Sequence, residues 1–357
     1  MSSRVARELL DWYRAEARDL PWRKSRDPYA IWVSEVMLQQ TRVDTARRYF
    51  GVFLERFPTL ESLASASEEQ VRVTWSGLGY YRRARFLHAA ARELIEASRE
   101  IPRQASELAQ LPGIGAYTAA AIASIAFGQV VAVLDGNVER VTARLLAEPG
   151  SPKAAPVRRR LLAVAESLLD HAAPGDSNQA LMELGATLCL PRAPRCGDCP
   201  LARGCRAARC GQAESYPRVK KRGAAHEIRA GAVVLLEAGR VFLRRRPDAA
   251  GFLAGTWEPP WVELGPREEV RAVLTREMPA LRVGALVGRI SHAITFRRFS
   301  VEVFEGQVAD GHAVVGAVAA VAAVAESEAE RFFNASELSG VPTSALARKI
   351  LRAAGFQ

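Results

Sequence analysis

The chain has 357 residues, roughly twice the usual domain size of about 150, so two domains are expected and a disulfide-stapled miniprotein is excluded. Charged residues make up 25% of the chain, and no uncharged apolar run reaches the roughly 18 to 20 residues of a membrane span, so the sequence predicts a soluble protein. The formal net charge of +10 is uneven, because residues 1–222 carry 33 basic and 24 acidic side chains and residues 223–357 carry 16 and 15. The basic first part favours a polyanionic partner, although solubility alone also explains a positive charge.

The N-terminal residues do not resemble a targeting signal. They lack the apolar segment of a secretory signal, and Glu8, Asp11 and Glu16 make them too acidic for a typical transit peptide. The sequence therefore predicts an intracellular, cytoplasmic protein with no membrane partner. In that reducing compartment, the five cysteines between residues 189 and 210 favour metal ligation over disulfides.

From residue 3 to about residue 188, apolar side chains recur at three- and four-residue spacing, which predicts an all-helical first domain. Within it, Gly113 and Gly115 follow Pro112 in a tight turn between two helical patterns, the second of them rich in alanine. Such a turn leaves backbone N–H groups available at the start of a helix, where a DNA phosphate binds without base specificity. The same turn also occurs as a plain helix connector, so it indicates DNA binding only together with other features.

Two acidic residues of this first part are candidates for chemistry. Glu35 lies among Val33, Val36 and Met37 on an apolar helix, where loss of hydration raises the pKa of a carboxyl group. Asp135 directly precedes the next predicted helix. An exposed helix position for Glu35 and a helix N-cap for Asp135 are the alternatives.

The cysteines follow the spacing C-x6-C-x2-C-x5-C, which places four thiols within 17 residues. Zinc ribbons usually contain two C-x2-C pairs, whereas one pair with unequal flanking spacers is closer to a four-cysteine iron–sulfur loop. Zinc or unligated thiols are the alternatives, and Cys210 is interpreted as a bystander. The candidate ligands are Cys189, Cys196, Cys199 and Cys205.

After a polar and basic linker, the pattern changes to a second, α+β domain. Two strand-like runs, 230–236 and 240–243, are separated by a hairpin signal, and 297–304 is a third strand candidate. Residues 266–278 and 344–354 have helical patterns, and the Ala- and Val-rich run 313–325 is interpreted as core or a surface hairpin.

The turn at 111–115, the segment Val-Leu-Asp-Gly-Asn-Val at 133–138 and the four-cysteine loop together resemble the helix-hairpin-helix DNA glycosylase superfamily, which includes endonuclease III. Further segments are similar to the MutY family of adenine DNA glycosylases. These segments are LPWR (20–23), PY (28–29), WVSEVMLQQT (32–41) and GLGYY (77–81).

The resemblance implies an activity, a cofactor and a partner. The substrate is double-stranded DNA with adenine opposite 8-oxoguanine or guanine, the cofactor is a 4Fe-4S cluster on the four cysteines, and the enzyme is a monomer associated with the nucleoid. Glu35 protonates adenine and later activates water, while Asp135, with Asn137 alongside, stabilises the sugar. Tyr117 stands where bifunctional relatives carry a Schiff-base lysine, so we expect a monofunctional glycosylase with Tyr117 bonded to the acid.

The resemblance also implies contacts with the lesion. Gln40 acts as a wedge in the helix, and Tyr80 stacks beside the opposing 8-oxoguanine, because an inserted side chain replaces lost base stacking. The guanidinium groups that follow Tyr80 are interpreted as phosphate contacts or as a solvated face; they belong to Arg82, Arg83 and Arg85. The other first-domain positions matched to DNA or lesion contacts are Arg23, Thr41, Leu78, Gly113 and Gly115.

The segment Trp-Glu-Pro at 257–259, with residues 251–255 before it, resembles the C-terminal MutT-like domain of this family. Ser291 and His292 match the Phe-Ser-His loop that recognises 8-oxoguanine, with Ile290 in place of the phenylalanine. The paired glutamates that hold magnesium in an active Nudix motif are missing after Glu277, so no nucleotide hydrolysis is expected.

The sequence thus predicts an all-α helix-hairpin-helix glycosylase domain with an iron–sulfur cluster loop, followed by an α+β Nudix/MutT-like domain. The expected limits are 1–210 for the first domain, with the hairpin at about 107–127 and the cluster loop at 189–205, then a linker at 211–228 and the second domain at 229–357. One alternative is an endonuclease III-like bifunctional glycosylase and lyase, which Tyr117 disfavours. The other is a non-catalytic iron–sulfur DNA-binding protein, which the presence of Glu35, Asp135 and Asn137 disfavours.

Overall fold

The computed structural model describes residues 3–218, 225–247, 250, 252–294, 296–308 and 329–356. The chain forms two compact units. Unit 1 comprises Met1–Ala66 and Phe86–Arg222, and unit 2 comprises Ser67–Arg85 and Gly223–Gln357. None of the helices within these described ranges is long and apolar enough to cross a membrane.

Unit 1 is helical throughout its described residues. Its helices are α1 (Ser3–Glu16), α2 (Pro28–Leu38), α3 (Val43–Arg56), α4 (Leu60–Ser65), α6 (Arg82–Glu96, which begins in unit 2), α7 (Ala105–Leu108), α8 (Ala116–Phe127), α9 (Gly136–Leu146), α10 (Ala155–Glu166), α11 (Pro174–Thr187) and α12 (Arg206–Arg209). Short 3-10 helices lie at Pro21–Arg23, Cys196–Asp198, Ala202–Gly204 and Ala213–Ser215.

The centre of unit 1 is formed by α2 and α8, which pack against each other. Helix α2 begins sharply, because the Asp27 carboxylate accepts the backbone N–H groups of Tyr29 and Ala30 and Pro28 occupies the first turn. Its residues from Tyr29 to Met37 are all buried, as are those of α8 from Thr118 to Ile125. A helix that is apolar on every side belongs in a core, and this pairing brings polar side chains of both helices into a protected interior.

Unit 2 is built on a seven-stranded mixed sheet within its described residues. The strands follow the order β3-β2-β1-β6-β5, with β4 also paired to β1 and β7 to β2. Strands β1 and β6 run parallel, and the other pairs run antiparallel. The strands are β1 (His226–Glu237), β2 (Arg240–Arg245), β3 (Trp257–Glu258), β4 (Trp261–Leu264), β5 (Leu281–Ile294), β6 (Arg297–Val308) and β7 (Glu330–Phe333).

Both faces of this sheet carry an apolar core, because alternate residues of a strand point to opposite sides. On one face, residues such as Ala232 and Val301 pack with a cluster that includes Ile350 of the last helix, α15 (Ala345–Ala353). On the other face, residues such as Val233 pack with a cluster that includes Leu274 of α13 (Val270–Glu277). The short helices α5 (Glu68–Thr74) and α14 (Ala335–Ser339) complete unit 2.

Residues 67–85, which the helical pattern of the sequence assigned to the first domain, group with unit 2. Long-range hydrogen bonds attach them there: Arg72 Nη2 donates to the Ala254 carbonyl at 2.6 Å, and the Tyr81 hydroxyl donates to the Thr343 carbonyl at 2.7 Å. Local sequence patterns carry no information about partners more than 180 residues away. The domain limits inferred from the sequence stay a prediction.

The predicted fold class is confirmed, since an all-α unit precedes an α+β unit. The Ala-rich helix after the glycine turn, the first hairpin of unit 2 and its two helical patterns are also present. One expectation is wrong: Ser291 and His292 lie inside strand β5, paired with Ser300 and Phe299, and not in a loop. The run 313–325 and residues 219–224 of the expected linker lie outside the described residues.

Candidate active site

Glu35 is a buried carboxyl group in the middle of α2. Glu35 is only 5% exposed, and the Tyr117 hydroxyl donates a hydrogen bond to Glu35 Oε2 at 2.7 Å. Burial raises the pKa of Glu35 to about 7, and the nearby charge of Asp135 acts in the same direction, whereas the hydrogen bond from Tyr117 and the charge of Arg23 oppose the shift. Glu35 is therefore able to hold and release a proton near neutral pH.

Tyr117 stands in the first turn of α8 and faces Glu35. Its hydroxyl also lies 3.3 Å from the Met182 sulfur on α11. Burial raises the pKa of Tyr117 well above its ordinary value, and the neighbouring carboxylates of Glu35 and Asp135 add to this effect. The hydroxyl consequently stays protonated and acts as a donor toward Glu35.

Asp135 is the N-cap of α9, so the simple structural alternative considered for it is present in the fold. Its carboxylate accepts the backbone N–H groups of Asn137 at 3.0 Å and Val138 at 2.8 Å, and the Asn137 side-chain amide at 3.1 Å. Burial raises the pKa of Asp135, and these hydrogen bonds act against that rise. The cap and a chemical role are compatible, since the same three N–H groups hold the carboxylate in a fixed position.

Asn137 connects the Asp135 carboxylate to Arg140 and, through Arg140, to the backbone of Gly185 and Cys189. Arg140 donates to the Asn137 side-chain oxygen at 2.9 Å, to the Gly185 carbonyl at 2.7 Å and to the Cys189 carbonyl at 2.7 Å. A Cβ atom on Gly185 would lie 2.6 Å from the Asn137 Cβ, so a glycine is required where α11 passes α9. Glu35 is thus bonded to Tyr117 and Asp135 to Asn137, and the two carboxyl groups are close enough for the charge of Asp135 to act on Glu35.

Arg23 is held in an ion pair inside unit 1. It donates to Glu183 Oε2 at 2.8 Å, and Arg18 donates to Glu183 Oε1 at 2.7 Å. Burial favours the neutral form of Glu183, which is 1% exposed, but the hydrogen bonds from Arg18 and Arg23 outweigh it and hold the pKa at about 2. Sequence reasoning missed Glu183 and Arg18, and the only available signal was an acidic residue inside an apolar helix.

The glycine turn before α8 has the geometry that the sequence indicated. Gly113 has a φ of +75°, and a Cβ atom there would lie 2.5 Å from the Phe86 Cβ, so only glycine fits. Gly115 is the N-cap of α8 and offers no side chain as a cap. Both glycines are exposed, so the N–H groups of the first turn of α8 are accessible to an anion.

Gln40 is an exposed residue with a left-handed backbone, at a φ of +57°, just after the end of α2. The next residue, Thr41, is half-buried, and its hydroxyl lies 3.4 Å from the Gln39 carbonyl. The Gln39 amide in turn donates to the Thr118 hydroxyl of α8 at 3.0 Å. A left-handed residue at this point is a common way for a helix to end, and here it leaves the Gln40 side chain exposed.

Within unit 2, Tyr80 has the same unusual backbone, with a φ of +51°, and its residue is 39% exposed. Leu78, by contrast, is buried. Ser291 is exposed, and its carbonyl accepts a hydrogen bond from Lys349 at 3.0 Å. His292 is half-buried, and burial together with the charge of Lys349 lowers its pKa, so the imidazole is neutral at neutral pH.

At the C-terminal end of unit 1, Cys199 is close enough to the other three spaced cysteines to interact with them electrostatically. Burial raises the pKa of the Cys199 thiol to about 12, and the other three thiols each contribute to that rise. All five cysteines of the chain are free thiols. Arg144, only 2% exposed, donates to the Cys189 sulfur at 3.2 Å and to the carbonyls of Leu190 and Pro191.

Among the residues that the structure describes, no three His, Cys, Asp or Glu side chains come close enough to hold one ion. Four thiols in one short loop are the donor set that an iron–sulfur cluster uses.

Comparison with known proteins shows the family to which the chain belongs. Residues 33–166 match the family described as "HhH-GPD superfamily base excision DNA repair protein". The chain is 39% identical over 376 residues to the adenine DNA glycosylase of Rattus norvegicus, covering 87% of this chain and 72% of that protein. It is 38% identical over 366 residues to the adenine DNA glycosylase of Homo sapiens, covering 84% and 67%. Among solved structures, a thermostable thymine-DNA glycosylase matches with 29% identity and a TM-score of 0.53, covering 57% of this chain and 95% of the other.

Proposed function

The chain belongs to the adenine DNA glycosylases of the HhH-GPD superfamily, and from that membership we propose how its own residues remove adenine from a mispair. It is a DNA N-glycosylase, so the reaction is hydrolysis of the bond between adenine and its deoxyribose. The observation that carries the proposed mechanism is the buried Glu35 carboxyl, bonded to Tyr117 at 2.7 Å and close enough to Asp135 to interact with its charge.

Glu35 is the general acid in this proposal. Adenine is a poor leaving group until a ring nitrogen is protonated, and a carboxyl with a pKa of about 7 retains a proton under physiological conditions. After the bond breaks, the Glu35 carboxylate accepts a proton from the water that attacks the sugar, which restores the starting state. The Tyr117 hydroxyl orients the Glu35 carboxyl group in both steps. The raised pKa of Tyr117 means that this hydroxyl keeps its proton at neutral pH.

Asp135 stabilises the positive charge that develops on the sugar as adenine departs. Its carboxylate is held by three N–H groups and needs no reorganisation when that charge appears. Asn137 fixes the carboxylate, and Arg140 fixes Asn137 in turn. The half-buried Arg23 is paired with the buried Glu183, and its charge acts on Glu35, so we assign this pair to the edge of the extruded base.

The proposed enzyme is monofunctional. A lyase step requires a lysine amine that forms a Schiff base, and Tyr117 occupies that position. Before residue 220 the chain contains only Lys24 and Lys153. Lys24 is exposed and paired with Asp19 at 3.0 Å, so it is not part of the site around Glu35.

We assign the mispair contacts to exposed residues. Gln40 and Tyr80 are both exposed and both left-handed, which suits side chains that enter the base stack beside adenine and opposite it. Gly113 and Gly115 bind a phosphate through backbone N–H groups, while Ser291 and the neutral His292 contact the opposing 8-oxoguanine or guanine. The remaining matched positions, Leu78 and Thr41, support these residues, since Leu78 is buried and Thr41 half-buried.

A 4Fe-4S cluster is the cofactor that fits the four thiols best, and Cys189, Cys196, Cys199 and Cys205 would hold it. A bound cluster supplies a cross-link that fixes the loop carrying Arg192, Arg195, Arg203 and Arg206, whose charges suit DNA phosphates. One chain supplies every residue of the mechanism, so we propose a monomer that works on chromosomal DNA.

A single-turnover assay tests this function. Duplexes carrying adenine opposite 8-oxoguanine, guanine or thymine are incubated with the purified enzyme, and strand scission is scored before and after alkali. We expect scission on the first two duplexes only, and only after alkali. Scission of oxidised-thymine duplexes without alkali would favour the endonuclease III-like alternative, and binding with no base release would favour a non-catalytic protein.

A further inference from the structure

The segment between α5 and α6 is an unusual turn. Gly77 has a φ of +97°, Gly79 of +77° and Tyr80 of +51°, so three of four consecutive residues are left-handed. The turn is fastened at its base, because the Gly77 N–H donates to the Tyr81 hydroxyl at 3.3 Å and that hydroxyl donates to the Thr343 carbonyl. The backbone that carries Tyr80 is thus fixed, whereas the Tyr80 side chain projects toward solvent.

One guanidinium lies against the Tyr80 ring. The Arg83 Cζ is 5.3 Å from the centroid of the Tyr80 ring and 5.4 Å from that of Trp75, which is fully buried. Arg83 Nη2 and Trp75 Nε1 both donate to the Gly79 carbonyl, each at 3.1 Å. Trp75, Arg83 and Tyr80 therefore form a layered set, in which Arg83 is the contact between the core and the exposed ring.

Arg83 differs in this respect from the arginines beside it. Arg82 and Arg85 are exposed, as phosphate contacts would be, while Arg83 is half-buried. Burial lowers the pKa of Arg83 to about 10, so the side chain is still cationic at neutral pH. The three arginines therefore do not form one phosphate-binding group.

We propose that Arg83 is a positioning residue for mispair recognition, whose guanidinium holds the Tyr80 ring in the orientation that stacks on the base opposite adenine. The proposal rests on the proposed function of Tyr80 and adds a residue that acts through it. A ring held in advance loses little conformational freedom when it stacks, so Arg83 contributes to affinity for the mispair without touching DNA. Phosphate contacts contribute equally to mispaired and matched duplexes and leave this preference unchanged.

The test measures equilibrium binding in the Glu35→Gln background, where the duplex is expected to stay intact. The quantity is the ratio of Kd for a matched A·T duplex to Kd for an adenine·8-oxoguanine duplex. A cation–π contact of about 1 to 2 kcal/mol corresponds to a roughly fivefold to thirtyfold fall in this ratio for Arg83→Gln. Arg82→Gln is the matched control, and we expect it to weaken both duplexes alike with an unchanged ratio.

A double-mutant cycle with Tyr80→Leu decides whether Arg83 acts through Tyr80. We expect Arg83→Gln to have no further effect on the ratio once Tyr80 is replaced. Additive effects would overturn the proposal, as would an Arg83→Gln variant that lowers affinity for both duplexes equally. If Tyr80→Leu alone leaves the ratio unchanged, the proposed function of Tyr80 is wrong, which is a distinct result.

Loss of folding is separated from loss of positioning by a conservative variant. Arg83→Lys keeps the charge but lacks the planar group that covers both rings. We expect it to unfold at the wild-type temperature and yet show a reduced ratio. A wild-type ratio for Arg83→Lys together with an unfolded Arg83→Gln variant would show that Arg83 serves folding only, and would refute the proposal.

Discussion

Replacement of Tyr117 by phenylalanine is predicted to move the pH dependence of adenine release to higher pH. The Tyr117 hydroxyl stabilises the charged form of Glu35 through a hydrogen bond of 2.7 Å, and it therefore lowers the pKa of Glu35 against the effect of burial. Removing the donor leaves a buried carboxylate with less stabilisation. The pKa of Glu35 must then rise above its wild-type value of about 7.

The size of this shift follows from the strength of the bond. A hydrogen bond to a charged group contributes about 1.5 to 3 kcal/mol, and one pKa unit corresponds to about 1.4 kcal/mol, so the shift is about 1 to 2 units. Because the protonated form is the active one, the wild-type rate is expected to fall as the pH rises through about 7. The variant is expected to keep its own maximal rate to about pH 8 or 9.

The assay is the single-turnover rate of adenine release from an adenine·8-oxoguanine duplex, measured from pH 5.5 to 9.5 with enzyme in excess. The maximal rate of the variant is expected to be lower, since Tyr117 also orients Glu35, so only the position of the alkaline limb is compared. An alkaline limb that stays in place or moves to lower pH would refute the assignment of Glu35 as the acid bonded to Tyr117.

Three further predictions concern stability and the cofactor. The folded state holds a proton on Glu35 that the unfolded state releases between pH 4.5 and about 7, so the free energy of unfolding falls as the pH rises across this window. At pH 8, Glu35→Gln is therefore expected to be more stable than wild type by up to about 3 kcal/mol and to unfold at a higher temperature. At pH 4 no such gain is expected. The contribution of Glu183 to stability has the opposite pH dependence: its pKa is about 2, so its ion pairs stabilise the fold fully above pH 4.5, and this stabilisation is lost as the pH falls toward 2. Glu183→Gln is expected to lower the free energy of unfolding, measured in urea, by about 3 kcal/mol at pH 7 and by less at pH 3. Arg144→Gln removes a buried guanidinium that donates to the Cys189 sulfur and to the carbonyls of Leu190 and Pro191; purified protein is expected to contain less iron and to absorb less in the visible region. Equal stability of the first two variants with wild type at every pH, or a full iron content of the third, would contradict these assignments.

Much of the first unit follows from local sequence patterns. Asp27 and Pro28 specify where α2 begins, and the apolar residues on either side of Ser34 and Glu35 favour an interior position for Glu35 over the exposed alternative. Asp135 is similarly recognisable as an N-cap. The cysteine spacing by itself indicates a metal centre, because four thiols so close in the sequence cannot be far apart in space.

The remaining features depend on contacts between distant segments. The ion pair of Glu183 with Arg18 and Arg23 joins residues about 160 positions apart, and no periodicity marks such a partner. The same is true of residues 67–85, whose attachment to Thr343 and Ala254 is invisible in the segment itself. Arg83 looks equivalent to Arg82 and Arg85 in the sequence, and only the helix phase and the position of Trp75 distinguish it.

The strand position of Ser291 and His292 was not predictable from the sequence for a different reason. Residues 281–294 have a weak alternation of buried and exposed positions, because β5 is an edge strand whose outer residues remain accessible. The segment therefore lacks the continuous run of buried residues that β1 has from Ala230 to Leu235. A motif match placed the two residues near DNA but gave no information on the strand that carries them.

The most direct test of the proposed mechanism is adenine release by Glu35→Gln under single-turnover conditions, with the Kd for the same mispaired duplex measured in parallel. Glutamine keeps the shape of the side chain and cannot donate the proton, so the rate is expected to fall by a factor of about 10² to 10⁴, with the Kd changed by no more than a few fold. A variant that binds the duplex and releases adenine at close to the wild-type rate would show that Glu35 is not the acid, and the proposed mechanism would be wrong.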